Sequence, residues 1–142
     1  MLKKRGPKKL AETWFERSKL VESTKLKCRA IDNILEEELN SHRFHFMKID
    51  AQGAEYKILE GSKKFLSESC IGLHLELFLI PLYKEIKLLP EVEAYLNSFG
   101  FQLTKKFPAH GTFDSQHDCL FLKQNGNSEK LNLIKKIYEI DA

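Results

Sequence analysis

The sequence predicts a mixed α/β domain, and three observations carry that prediction. Residues 44–50 (Phe-His-Phe-Met-Lys-Ile-Asp) and residues 71–79 are strongly apolar runs of strand length. Between them, from residue 54 to about 67, Tyr56, Ile58, Leu59, Phe65 and Leu66 recur at helical spacing. Strand, helix and strand in that order, with near-continuous apolar strands, is the pattern of a right-handed βαβ unit in a parallel sheet. Two shorter runs, residues 101–104 and 119–122, follow with no helical pattern between them, so they are expected to pair as an antiparallel hairpin at the sheet's edge. At 142 residues and 16.5 kDa the chain has the length of one domain with a real core.

Taken in order, residues 1–9 read as disordered and residues 10–20 as a short helix. Residues 25–31 alternate weakly and are expected to form a strand. Asp32 then has the position of an N-cap for a helix over 33–40, where Ile34, Leu35 and Leu39 form a stripe and Glu36 and Glu37 suit the helix dipole. Within the helix over 54–67, Gly61 is a weak point or a bend. A helix over 90–98 starts at Pro90, at the tolerated first position, and closes at Gly100. Residues 128–138 carry Leu131, Ile134 and Ile137 at helical spacing and are expected to pack back on the sheet.

Composition excludes several classes. With 42% hydrophobic and 30% charged residues the chain is neither low-complexity nor wholly disordered. No apolar run reaches the roughly 18 residues of a membrane span, and Lys3, Lys4 and Arg5 lack the apolar stretch of a signal peptide, so a cytoplasmic location is expected. Cys28, Cys70 and Cys119 have no metal or disulfide spacing and read as small core residues. Residues 1–29 hold 10 Lys and Arg against 3 Asp and Glu, leaving an acidic body behind a basic head. With one Trp, one Phe and no recognition motif, that head reads as a solvated terminus, and no nucleic-acid partner is expected.

Ligands of open parallel sheets bind beyond the carboxyl ends of the strands. Asp50 ends the first apolar strand, Gly53 permits a tight turn, and Glu55 falls in the first turn of the next helix. A carboxylate at residue 50 can accept a proton, bind a metal or hold a cofactor amine, or it can cap the helix through the N–H of Gln52 or Gly53. Glu76 is an acid among Leu73, Leu75, Leu77 and Phe78, facing either the same crevice or solvent, and His74 shares its strand face. His42, His45, His110 and His117 lack ligand spacing and read as surface residues; no metal site is expected. No G-x-G-x-x-G, G-x-x-x-x-G-K-[ST] or G-x-S-x-G occurs, so no phosphate or dinucleotide cradle is present in the sequence.

Residues 46–55 (Phe-Met-Lys-Ile-Asp-Ala-Gln-Gly-Ala-Glu), followed by Ile58-Leu59-Glu60-Gly61, resemble the central signature of FkbM-family methyltransferases, a strand ending K-I-D-x-[EQ]-G-[AY]-E before a helix with L-x-G. Residues 30–35 (Ala-Ile-Asp-Asn-Ile-Leu) resemble the family's preceding T-L-D-x-[IL]-L, with Ala30 and Ile31 departing from it. Glu76 with Pro81-Leu82-Tyr83, Gly100-Phe101 and the run 118–122 keep the family's order of features. The resemblance covers roughly residues 25–123.

It implies a partial class I methyltransferase sheet of Rossmann-like form, with strands 4, 5, 7 and 6 at residues 44–50, 71–79, 119–122 and 101–104. Strands 1, 2 and 3, which carry the Gly-rich cofactor turn, would be missing. Residues 1–24 would then be a basic N-terminal segment, and residues 25–142 the C-terminal half of a methyltransferase domain that is truncated and incomplete on its own. The implied chemistry is methyl transfer from S-adenosylmethionine to a hydroxyl of a sugar, glycan or other small molecule. Asp50 and Glu76 would be catalytic, with Asp50, Gln52 and Gly53 on the cofactor side, and Asp32 a structural cap. From a different class, the chain could be a non-catalytic α/β interaction module or remnant that pairs, with itself or with a partner chain, through the open edge of strand 4.

Overall fold

The computed structural model describes residues 21–40, 42–109, 114–126 and 128–140. Their elements are α1 (Ile31–Glu37), β1 (Phe46–Ile49), α2 (Glu55–Glu60), α3 (Lys63–Glu68), β2 (Gly72–Phe78), α4 (Leu89–Asn97), β3 (Phe101–Lys106), β4 (Gln116–Lys123) and α5 (Ser128–Ile137). The four strands form one sheet in the order β1-β2-β4-β3. β1 and β2 run parallel, and β4 pairs antiparallel with both β2 and β3. The α/β class, the parallel pair and the antiparallel hairpin expected from sequence are all present.

Strand alternation divides the residues of β2 between the two faces. Leu73, Leu75 and Leu77 join Ile49, Cys119, Phe121 and Phe101 under α2, α3 and α4, which contribute Leu59, Phe65, Leu66, Val92 and Leu96. On the opposite face a smaller apolar group, Ile71, Leu120, Leu122 and Ile134, holds α5 with help from Phe46, Leu131 and Tyr138. Gly72 belongs to that second face. A Cβ there would lie 2.8 Å from Cδ2 of Phe46 and 3.2 Å from Cδ1 of Ile134, so only glycine lets the ring and the helix close on the strand.

Several expectations need correction. Residues 25–31 form no strand; the segment runs without regular structure into α1, which begins at Ile31. Asp32 therefore lies inside the first turn of α1 and does not cap it. Its carboxylate instead accepts the N–H groups of Lys64 at 2.8 Å and Phe65 at 2.9 Å, the orphan donors of α3, while its own N–H donates to the Gly61 carbonyl at 3.1 Å. Ser62 cannot take that role because its hydroxyl donates back to the Ile58 carbonyl at 2.7 Å. The single helix expected over 54–67 is two, bent at Gly61 and Ser62.

Cys70 and Cys119 are buried as expected, but Cys28 is exposed, like the rest of residues 21–29. Burial pushes both buried thiols up to about 12, which leaves them unreactive. His117 is buried, not at the surface, since β4 starts three residues earlier than the apolar run and alternation turns its ring inward between the Phe107 carbonyl, 2.6 Å away, and Asp114. The N-terminal helix over 10–20, the disorder expected over 1–9 and His110 fall outside the described residues.

Candidate functional site

The chain leaves β1 at Asp50 and turns through residues 51–54 into α2. Two consecutive left-handed residues make that turn, Gln52 with φ 50° and Gly53 with φ 102°. Glu55 closes it. Its carboxylate accepts the Ala51 N–H at 2.8 Å and the Gly53 N–H at 2.9 Å, and its side chain is buried at the head of α2, where the dipole favours a negative charge. Asp50 is thereby freed from helix capping, and the reading in which it caps through Gln52 or Gly53 does not hold.

The left-handed backbone aims the Gln52 side chain back across the strand ends. Its amide nitrogen donates to Asp50 Oδ1 at 3.2 Å and to Glu76 Oε2 at 2.6 Å, and its amide oxygen accepts the Tyr83 hydroxyl at 2.8 Å. Glu76 Oε1 accepts the side-chain amide of Gln116 at 2.8 Å. Glu76 therefore faces the crevice, not solvent, and is only 5% exposed. Asp50 and Glu76, twenty-six positions apart in sequence, are joined through one glutamine. Gly53 takes part through its backbone alone: a Cβ there would meet Cδ2 of Tyr83 at 3.0 Å.

The electrostatics are one-sided. Among the described residues neither Asp50 nor Glu76 forms an ion pair with Lys or Arg, while Asp118 stands directly across the ladder from Glu76. Burial, and after it the charges of Asp50, Asp118 and Glu55, raises the Glu76 carboxyl above its ordinary range. The Tyr83 hydroxyl is raised too, by burial first and then by Glu76 and Glu55. Such a site can hold a proton on Glu76, take one up on exposed Asp50, and attract a cationic ligand.

His74, on the same face as Glu76, sits below the crevice with Nδ1 2.8 Å from the Tyr138 hydroxyl and Nε2 3.1 Å from Asp118 Oδ1, its ring stacked on Phe107. It ties α5 to the sheet. Gln116 and Asp118 are not legible as site residues from sequence, because the apolar run begins only at residue 119 while β4 begins at Gln116. Extending its alternation back to residue 116 places both on the Glu76 face. No group of three or more His, Cys, Asp or Glu among the described residues is arranged to hold a metal.

No curated protein and no solved structure matches this chain. A family model described as the methyltransferase FkbM domain matches residues 3–103, a span that holds the whole β1 turn, β2 and α4. The match begins earlier than the resemblance over residues 25–123 and takes in most of the basic head. This chain belongs to the FkbM methyltransferase family.

Proposed function

We propose that the chain is an S-adenosylmethionine-dependent methyltransferase that methylates a hydroxyl group of a sugar, glycan or other small molecule, and that its described residues form the acceptor-facing side of the active site. The single observation that carries this reading is the Asp50–Gln52–Glu76 bridge at the carboxyl ends of two parallel strands. In this reading the strands β1, β2, β4 and β3 correspond to strands 4, 5, 7 and 6 of a class I methyltransferase sheet, an assignment supported by their order and directions.

The residues suit such a cofactor. Among the described residues neither Asp50 nor Glu76 pairs with Lys or Arg, and such a cluster of carboxylates favours a ligand bearing sulfonium and ammonium charges. S-adenosylmethionine, when bound, supplies an electrophilic methyl group and leaves as a neutral thioether. Asp50, exposed beside the turn, takes the proton of the acceptor hydroxyl on a carboxylate oxygen. Gln52 fixes the angle of that carboxylate, Gly53 gives the turn its approach, and Glu76 lines the acceptor side. We propose that the reaction takes place in the cytoplasm; no helix of the described residues is long and apolar enough to cross a membrane.

The test is transfer of a labelled methyl group from S-adenosylmethionine to a panel of sugar and other hydroxyl acceptors. Transfer that drops at least a hundredfold in Asp50→Asn, with unchanged thermal unfolding, is the expected result at roughly the size of lost general-base catalysis. A second reading, a non-catalytic α/β interaction module, is favoured by one observation, that β1 pairs with β2 alone among the described residues. A folded chain that neither binds the cofactor nor transfers methyl groups would support it.

A further inference from the structure

We propose that Tyr83 is a positioning residue: its hydroxyl fixes the direction of the Gln52 side-chain amide and, through that amide, the carboxylate of Asp50. This role rests on the reading in which Asp50 takes the proton of the acceptor hydroxyl, and Tyr83 acts in it through Gln52 and not on the substrate.

Gln52 reaches the two acids through a single atom. Its Nε2 donates to Asp50 Oδ1 at 3.2 Å and to Glu76 Oε2 at 2.6 Å. Two bonds from one nitrogen pin a point and leave the amide able to pivot about it. Both N–H bonds lie in the amide plane, so a pivot swings them off their oxygens, and hydrogen bonds weaken steeply as they bend. The side chain's own preferences do not prevent this, because Gln52 is exposed and the torsion that turns an amide is soft. A hold on Oε1 does prevent it. The Tyr83 hydroxyl supplies that hold by donating to Oε1 at 2.8 Å.

Tyr83 is itself firmly placed. Its ring meets Phe78, the last residue of β2, edge to face, with centroids 5.6 Å apart and planes at 89°. Phe78 is fully buried and gives the ring a rigid base. The ring also lies against Gly53, where a Cβ would come within 3.0 Å of Cδ2 and 3.3 Å of Cγ. Only two torsions place a tyrosine hydroxyl, so a packed ring delivers it to Gln52 with little freedom left to lose. Burial, and after it Glu76 and Glu55, raises that hydroxyl, so it keeps the proton it donates.

The backbone points the same way. Gln52 holds φ 50°, a conformation that residues other than glycine seldom adopt, and this sends its side chain between the acids and Tyr83. Packing of the turn needs the tyrosine ring alone. The hydroxyl is the part that addresses the glutamine.

Tyr83→Phe keeps the ring and removes the hydroxyl, and its thermal unfolding is expected to match wild type. Side-chain nitrogen relaxation of the full chain without substrate is expected to show an ordered Gln52 amide in wild type and a mobile one in Tyr83→Phe. Kinetics use labelled S-adenosylmethionine and the hydroxyl compound of the acceptor panel that wild type turns over. There kcat is expected to fall about tenfold in Tyr83→Phe while both KM values stay within about twofold. That split marks positioning, since a lost binding contact would move KM. Because Tyr83 acts through Gln52, Tyr83→Phe is expected to cost nothing further in a Gln52→Ala background. An equally ordered amide in Tyr83→Phe overturns the proposal, as does an unchanged kcat, or the full loss persisting in the Gln52→Ala background. A wild-type chain that transfers no methyl group contradicts the reaction itself, and the amide relaxation then decides alone whether Tyr83 holds Gln52.

Discussion

The two faces of the sheet bury different things. Under α2, α3 and α4 every inward residue of β2 is leucine, and the ring of apolar side chains around Leu73, Leu75 and Leu77 is closed. Under α5 the apolar group is small, and the same strand presents Gly72, His74 and Glu76 in succession. One strand thus serves a core on one side and a polar, acid-lined crevice on the other. The comparison teaches where stability and function reside: packing on the first face holds the strand ends at which the second face gathers its acids.

The largest effects that sharpen the comparison fall on the packed face. Leu75→Ala or Leu66→Ala removes a fully buried side chain and should cost about 2–5 kcal/mol in chemical denaturation. A loss under about 1 kcal/mol would mean that this face is loosely packed. Next comes the corner where α1 meets the start of α3. Asp32→Ala strips α3 of its only side-chain cap among the described residues and should cost about 0.5–2 kcal/mol, with a smaller loss in Asp32→Asn, whose side-chain oxygen can still accept one N–H.

The polar face is expected to respond in the opposite direction. Glu76 has its carboxyl raised in the folded chain, so between its ordinary value of 4.5 and its folded value the native state binds more protons than the unfolded chain. Stability should therefore fall as pH rises through that window and level off above it. Glu76→Gln should remove that fall and leave the variant more stable than wild type at neutral pH, as urea unfolding from pH 4 to 8 would show. A variant that is less stable at neutral pH would mean the carboxylate is favourably held. Smallest of all, Leu133→Ser on the outer side of α5 should change monomer stability by less than about 0.5 kcal/mol, since its side chain is mostly exposed.

What the sequence makes legible follows the same division. β1 and β2 are near-continuous apolar patterns and fold as strands, while the amphipathic stretch between them folds as helix but breaks in two at Gly61 and Ser62. Asp50, Gln52, Gly53 and Glu76 are legible as residues at strand ends and in a signature, yet the bridge that joins Asp50 to Glu76 is not. It depends on a left-handed φ at Gln52 and on the register that sets β2 beside β1 and β4. Gln116 and Asp118 escape notice because a polar start hides the first three residues of β4. Asp32 has the chemistry of a cap, but the helix it caps lies thirty-two residues away, a partnership that only tertiary packing creates. Residues 25–31 alternate like a strand and find no ladder to join, so local pattern alone cannot make them one.

The central claim is that the acid-lined crevice at the ends of β1 and β2 binds a sulfonium cofactor. Calorimetric titration of the full chain with S-adenosylmethionine tests it most directly, run beside Asp50→Asn and with the oligomeric state recorded in the same buffer. The account expects micromolar binding by wild type and a clear weakening in Asp50→Asn, whose thermal unfolding should match wild type. A folded wild-type chain that gives no binding heat and no change in unfolding temperature with the cofactor would contradict it.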